Sequence, residues 1–263
     1  MGYIEDYYSN YDEDARLGEK HGRVEFLTTM RYVQRYLEAK PSAYVLEVGA
    51  GTGRYSRAIA DLGFCVEAVE LTPHNIEVFK RQITPTQKIS VTHGNALDLH
   101  MFGDNTFDIT LVLGPMYHLY TEADKQKAIS EALRVTKPGG EIFVAYIISD
   151  AAILEDGFKR GCWCLADYID KGLVDPVTFD TTSLPENIFE LVRKDDIDHL
   201  MSHFPVERLH YVATDMLTRI IRENIAEMDE ELFGLYLRYH YAVCERPDMV
   251  GVTNHSLDIF RKL

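Results

Sequence analysis

The chain has 263 residues, long for one minimal domain and short for two, with 46% hydrophobic residues and a formal net charge of −15 with His neutral. That charge repels phosphate backbones and no Lys/Arg run offsets it, so a nucleic-acid partner is not expected. No apolar run approaches the roughly 18 residues of a membrane helix, and the polar N-terminus lacks the apolar stretch of a signal peptide, so no membrane association is expected.

In chain order, residues 22–39 carry apolar side chains at helical spacing and stop at Pro41. The period then shortens. Residues 43–48 (AYVLEV) read as a first strand that runs into a glycine cluster, and 54–62 as a helix. Residues 64–69 read as a second strand and 73–81 as a helix, with Thr72 at its N-cap and Pro73 at its first position. Residues 88–92 form a third expected strand. Residues 107–113 form a fourth, apolar nearly throughout, as a strand covered on both faces would be. A helix over 121–135 follows, then Gly139-Gly140 turns the chain into a fifth strand at 141–147. Strands alternating with helices predict a parallel sheet with right-handed crossovers.

After Ser149 the alternation fails. Residues 150–171, 195–203 and 215–245 read as helical, and 207–214 and 255–261 as two further strands. The expected architecture is one doubly wound α/β domain over 1–263. Its seven-stranded, mostly parallel sheet has helices on both faces. Within it lie an N-terminal arm (1–22), a core (23–149) and helical cap insertions (150–206 and 215–250).

The strongest motif is VLEVGAGTGRYS, Val45 to Ser56. Its glycines let the backbone turn sharply and approach a ligand, and the following helix offers free N–H groups to an anion. A dinucleotide fingerprint needs G-x-G-x-x-G or A, but here the third glycine comes one residue early and Arg54 holds the small-residue position. The run G-x-G-x-G with Glu47 two residues ahead resembles motif I of the class I S-adenosylmethionine-dependent methyltransferases. Glu70, ending the second strand in VEAVEL, stands where an acid accepts from both ribose hydroxyls of an adenosine. GNALDL places Asn95 where that family usually has an acid; its amide oxygen suits the adenine amine, and the Ala96 N–H suits the ring nitrogen. The element R-V-T-K-P-G-G, Arg134 to Gly140, is similar to that of small-molecule members.

The resemblance covers Val45 to Tyr146 and implies S-adenosyl-L-methionine as cofactor. It implies cofactor contacts from Tyr8, Glu47, Gly49, Ala50, Gly51, Thr52, Gly53, Glu70, Leu71, Asn95, Ala96, Leu113 and Gly114. It also implies an arm folded over the cofactor; Tyr3, Tyr7, Tyr8 and Tyr11 lie in that arm, and Arg16 is either a carboxylate contact or a surface ion pair. His118, after the fourth strand, is the candidate catalytic residue, either as a base or as a pocket wall, with Tyr117 as wall. The place of the D/N-P-P-Y motif is held by Gly114-Pro115-Met116-Tyr117, which argues against a DNA amino-methylase.

The four cysteines, Cys65, Cys162, Cys164 and Cys244, are too sparse for a disulfide framework, and a cytoplasmic home is expected. Cys162-Trp163-Cys164 lacks the pairing of a zinc site, so no metal is expected. The stripe Tyr236, Tyr239, His240 and Tyr241 reads as core, in the region where a substrate would be recognised. The expected function is methyl transfer to a small-molecule acceptor. The alternatives are a methyltransferase acting on RNA or a protein side chain, or a non-catalytic S-adenosylmethionine-binding protein. Arg54 and the R-V-T-K-P-G-G element disfavour a nicotinamide oxidoreductase. Monomer and homodimer both remain open.

Overall fold

The computed structural model describes residues 2–10, 18–161 and 163–263. Its strands are β1 (Tyr44–Val48), β2 (Cys65–Glu70), β3 (Ile89–His93), β4 (Phe107–Val112), β5 (Thr136–Ile148), β6 (Leu191–Val192), β7 (Val206–Ala213) and β8 (His255–Lys262). They form one sheet in the order β3-β2-β1-β4-β5-β8-β7, with β6 alongside β5. β8 runs antiparallel to both β5 and β7, while the pairs from β3 across to β5 are parallel. The seven expected strands are all present, and the two-residue β6 pairs in parallel beside the end of β5.

Alternation along each strand divides the core between the two faces. Val45, Ile109, Phe143, Leu257 and Ile259 meet Val33 and Leu37 of helix Lys20–Glu38, Ile59 of helix Arg54–Asp61 and Val243 of helix Glu230–Val243. Leu46, Val48, Val112, Ile142 and Val144 face the other way, onto Ile129 and Leu133 of helix Glu122–Val135 and Leu200 of helix Lys194–Met201. β1 and β4 are apolar on both faces because helices cover both. The chain order reverses between β1 and β4, so the crevice beyond their carboxyl ends is the place where such sheets bind ligands.

Three expectations on local structure change. β5 begins at Thr136 rather than 141, because Phe107 pairs with Thr136 and Ile109 with Glu141, leaving Lys137–Gly140 as a bulge with Gly139 at φ +74°. The helix expected over 150–171 breaks into a turn at Ser149–Ala152, a π-helical stretch at Ile153–Lys159 and a short helix at Leu165–Asp170. The helix expected over 215–245 breaks into a 3-10 turn at Met216–Thr218 and helices Arg222–Glu227 and Glu230–Val243. Extended backbone at Met228 ends the former, and the Asp229 carboxylate caps the latter by accepting from Leu232 N at 2.8 Å. The arm is a helix over Gly2–Asn10. No helix among the described residues is long and apolar enough to cross a membrane.

Candidate active site

The glycine turn is built from three different constraints. Gly49 has φ +72°, and a Cβ there would lie 2.6 Å from Pro115 Cδ. Gly53 has φ +82° and caps helix Arg54–Asp61; a Cβ there would lie 2.0 Å from the Phe79 ring. Gly51 has φ +55° but open space where a Cβ would sit, so only backbone hand and ligand room demand glycine there. Gly49 N and Ala50 N both donate to the Val69 carbonyl, which staples the turn to β2.

Two buried carboxylates support this turn. Glu47 accepts from the Ser56 hydroxyl in the first turn of the helix, and burial pushes its carboxyl up to about 8. Glu70 is also buried. Its Oε2 accepts from Gly51 N at 2.8 Å, and its Oε1 from Thr72 N at 2.9 Å, Thr72 Oγ1 at 2.7 Å and Asn75 Nδ2 at 3.3 Å. Thr72 occupies the N-cap position of helix Pro73–Gln82 as expected, but its hydroxyl turns back to Glu70 instead of capping.

These groups surround a cavity of about 330 Å³. Of the residues singled out from sequence, Tyr8, Glu47, Gly49, Ala50, Gly51, Thr52, Glu70, Leu71, Asn95, Ala96, Leu113, Gly114 and His118 line it. Gly53 does not; it is packed under Phe79. Asn95 Oδ1 already accepts from Leu97 N at 2.9 Å, which sets the side chain's direction. Arg54, the residue that broke the dinucleotide pattern, lies with its guanidinium 4.6 Å from the centre of the Phe26 ring.

His118 ends a 3-10 turn after β4. Its Nδ1 lies 2.8 Å from the Ile188 carbonyl, which can only accept, so Nδ1 carries the proton. Nε2 of the neutral ring therefore accepts from the Tyr8 hydroxyl at 3.0 Å. Burial lowers the His118 pKa, against the opposing pull of the Ile188 bond and the Glu70 charge. Ile188 has φ +70°, a costly conformation for a β-branched residue, and its carbonyl is held by both His118 and the Tyr120 hydroxyl. The arm thus sits against the cavity through Tyr8, and Tyr7 packs edge-on against Phe189. Tyr11 and Arg16 lie outside the described residues.

A second cavity, of about 910 Å³, lies on the cap side. It shares Tyr8, Glu25, Tyr117 and His255 with the first. Its aromatic wall includes Phe189 and the stacked pair Trp163 and Tyr168, 5.4 Å apart. Its charged wall includes Arg160, Arg219 and Arg222. Arg219 Nε meets the fully buried Glu155 at 2.7 Å, Arg222 lies 3.7 Å from the same carboxylate, and Arg160 pairs with Asp156 at 3.2 Å.

At the shared wall His255 Nδ1 lies 2.8 Å from Asp215 Oδ2 and 3.5 Å from Glu25 Oε2. Asp215 was expected to begin a helix. Its Oδ1 instead accepts from Thr253 Oγ1 and from the backbone N–H groups of Asn254 and His255, and these bonds with the His255 charge hold its pKa down against burial. Sequence reasoning missed this group because its members come from residues 25, 215 and 255, with no local pattern.

Glu25, Asp215 and His255 also present ligand-type atoms within 4.8 Å of one another, as do the exposed Glu122, His199 and His203. Cys162 lies outside the described residues; Cys164 is exposed, and Cys244 is buried with its sulfur 3.6 Å from the Tyr32 hydroxyl. His240 of the aromatic stripe is buried, with its pKa lowered by burial to about 4, while Tyr239 and Leu235 of the same helix are exposed.

A switch-point cavity with a glycine turn on one wall and an acid at the end of the next strand is the arrangement with which open α/β sheets hold nucleoside cofactors. The family described as "Methyltransferase domain" matches residues 45–140. The chain is 39% identical over 116 residues to a demethylmenaquinone methyltransferase of Renibacterium salmoninarum, covering 44% of this chain and 46% of that protein. It is 29% identical over 155 residues to a 2-methyl-6-phytyl-1,4-hydroquinone methyltransferase of Synechocystis sp., covering 55% and 46%. The chain thus spans just under half the length of these two relatives. In fold it is similar to the magnesium protoporphyrin IX methyltransferase of Synechocystis PCC 6803, solved with SAH bound, at TM-score 0.59 and 11% identity over 93% of this chain and 86% of that one. Residues 45–140 are thus similar to a methyltransferase domain, and the sheet around them has the fold of a solved methyltransferase.

Proposed function

We propose that the protein transfers a methyl group from S-adenosylmethionine to a small-molecule acceptor. The observation that carries this reading is the pair of cavities with one shared wall, the smaller at the glycine turn and the larger under the cap. A volume of about 330 Å³ falls within the roughly 300–1,000 Å³ of small-ligand sites. The names of the two relatives, both acting on small molecules of quinone or hydroquinone type, support the acceptor class.

The chain's groups suit this cofactor. The open space beyond Gly51 leaves room for close approach, and Glu47 is a buried acid whose ionised form a nearby cation would favour. Glu70 Oε2, which accepts one bond in the described structure, has capacity for a ribose hydroxyl. Asn95 and Ala96 line the same cavity, and we assign them to the adenine edge. The bound cofactor supplies a methyl group already activated on a sulfonium, so the protein's contribution is mainly alignment, worth about 7–11 kcal/mol at best. Tyr8 and His118, tied to each other, close the cofactor cavity from the arm side. We take residues 150–206 and 215–250 as the cap that shapes the acceptor cavity, and the acceptor as a free small molecule rather than RNA.

Calorimetry tests the reading. S-adenosylmethionine and its demethylated product should bind, and NAD should not. Binding of NAD alone would overturn it.

A further inference from the structure

We propose that Glu122, His199 and His203 form a binding site for a zinc ion, and that the ion ties helix Lys194–Met201 to helix Glu122–Val135. None of the three residues borders either cavity, so the site stands whether or not the chain transfers methyl groups.

The two histidines are four residues apart, which places them on one face at the carboxyl end of a helix. His199 lies in the last turn, and His203 follows Ser202, whose αR backbone prolongs it. The two rings meet edge to face with centroids 5.0 Å apart. Glu122 comes from the first turn of the other helix. One ligand-type atom from each residue lies within 4.8 Å of the others, and all three residues are exposed. Two ligands on one tetrahedral zinc, each about 2.1 Å from it, stand about 3.4 Å apart. Rotation of exposed side chains closes that gap. The backbones beneath are already held, because Ile197 and Leu200 pack in the same core cluster as Ile129 and Leu133.

The nitrogens of this cluster are prepared for a metal. His203 Nδ1 lies 3.0 Å from the His199 carbonyl and 3.2 Å from the Leu200 carbonyl. A carbonyl only accepts, so Nδ1 carries the proton and Nε2 the lone pair. A metal-ligating histidine is commonly fixed in this way, its other N–H given to a backbone carbonyl. The His199 ring makes no hydrogen bond to another described residue, so its nitrogens are open to an ion. Glu122 Oε1 accepts from Gln126 Nε2 at 3.1 Å, and Oε2 remains for a ligand bond. The buried trio of Glu25, Asp215 and His255 differs. Asp215 there engages Oδ1 with three donors and Oδ2 with His255.

The donor set selects the ion. Two imidazoles and a carboxylate match zinc sites with three protein ligands, in which water takes the fourth position. Calcium and magnesium prefer a shell of oxygens. The formal charge of −15 adds a field that favours any cation. The ligands come from segments far apart in sequence and gather only in the folded chain, so bound zinc stabilises the fold.

Zinc chloride titrated into the metal-free chain should reveal one site of micromolar or tighter affinity by calorimetry. His199→Ala and His203→Ala should each weaken it at least about tenfold. His199→Ala leaves His203 in place on the helix carbonyls, so its loss of affinity reports ligation rather than a lost cap. His100→Ala, removing an exposed ring paired with Asp98 at 3.0 Å, should change nothing. Saturating zinc should raise the unfolding temperature of the wild type and not of Glu122→Ala. In ¹⁵N-histidine spectra of the zinc-bound chain, His203 should keep its proton on Nδ1 and carry the metal on Nε2. No binding at millimolar zinc would overturn the site. Full affinity in the double variant His199→Ala/His203→Ala would also overturn it, by placing the ion elsewhere. Binding with no rise in unfolding temperature would overturn the tie between the two helices.

Discussion

Residues 44–148, proposed to hold the cofactor, and the part beyond them, proposed as the cap, are held together differently. In the first, apolar strands and helices of matching length surround a turn whose glycines pack against Pro115 and Phe79. In the second, apart from β7, β8 and helix Glu230–Val243, elements are short and broken, and charge pairs far apart in sequence help tie them together. Arg219 reaches Glu155, Arg193 reaches Asp150, and Arg208 forms two 2.8 Å bonds to the fully buried Asp258. The difference suits the work proposed for each half. A cofactor site repeats one geometry and can be encoded locally. An acceptor pocket needs polar walls and freedom to vary, which a cap assembled by tethers permits.

The comparison breaks most sharply at the glycines. Gly53→Ala should cost at least about 3 kcal/mol in urea unfolding, since its Cβ would lie 2.0 Å from Phe79 at a positive φ. Gly51→Ala should cost only about 1 kcal/mol of stability yet sharply weaken cofactor binding by calorimetry, because its Cβ would point into open cavity. Equal effects of the two changes on folding would deny that the turn separates packing from binding.

In the cap, Arg219→Ala should cost about 2–3 kcal/mol by leaving Glu155 buried with only the more distant Arg222. Burial already raises the Glu155 pKa, and loss of Arg219 raises it further. The variant's folded state then binds a proton more readily than the unfolded chain, so its deficit should shrink as pH falls toward 5 in unfolding curves. A pH-independent deficit would mean the arginine acts by packing.

Glu70→Ala should cost about 2 kcal/mol in folding as well as weakening cofactor binding, because four donors lose their acceptor. Glu70→Gln, which keeps an acceptor oxygen, should recover part of the stability. Thermal unfolding of both variants checks this, and a fully stable Glu70→Ala would show that solvent replaces the carboxylate.

The smallest effect is a proton. The Glu47 carboxyl sits at about 8 when folded against an ordinary 4.5. The folded state therefore holds a proton that the unfolded chain lacks between those values. Its contribution to stability falls as pH rises from about 4.5 to about 8 and is flat above. Glu47→Gln should flatten that slope. Binding of the cationic cofactor should release a fraction of a proton near pH 7, seen as buffer-dependent heats in calorimetry.

The sequence by itself determined the sheet, the glycine turn and the acid at the end of β2, because each follows from spacing within some ten residues. Thirteen of the fourteen residues singled out for the site border the cavity beside the glycine turn, and Gly53 is absent from that wall because it packs under Phe79. Tertiary structure alone decided the rest. Thr72 turns its hydroxyl to Glu70 because the carboxylate is buried there, not because the helix lacks a cap. His118 is fixed by Tyr8 from the arm and Ile188 from the cap, neither predictable from its own neighbours. His255 stands at the head of the antiparallel β8, and only the insertion of that strand between β5 and β7 carries it to Asp215 and to the junction of the two cavities. Periodicity reports which face of an element is buried; the strand order, set by packing of the whole sheet, decides which distant side chains meet at its edge.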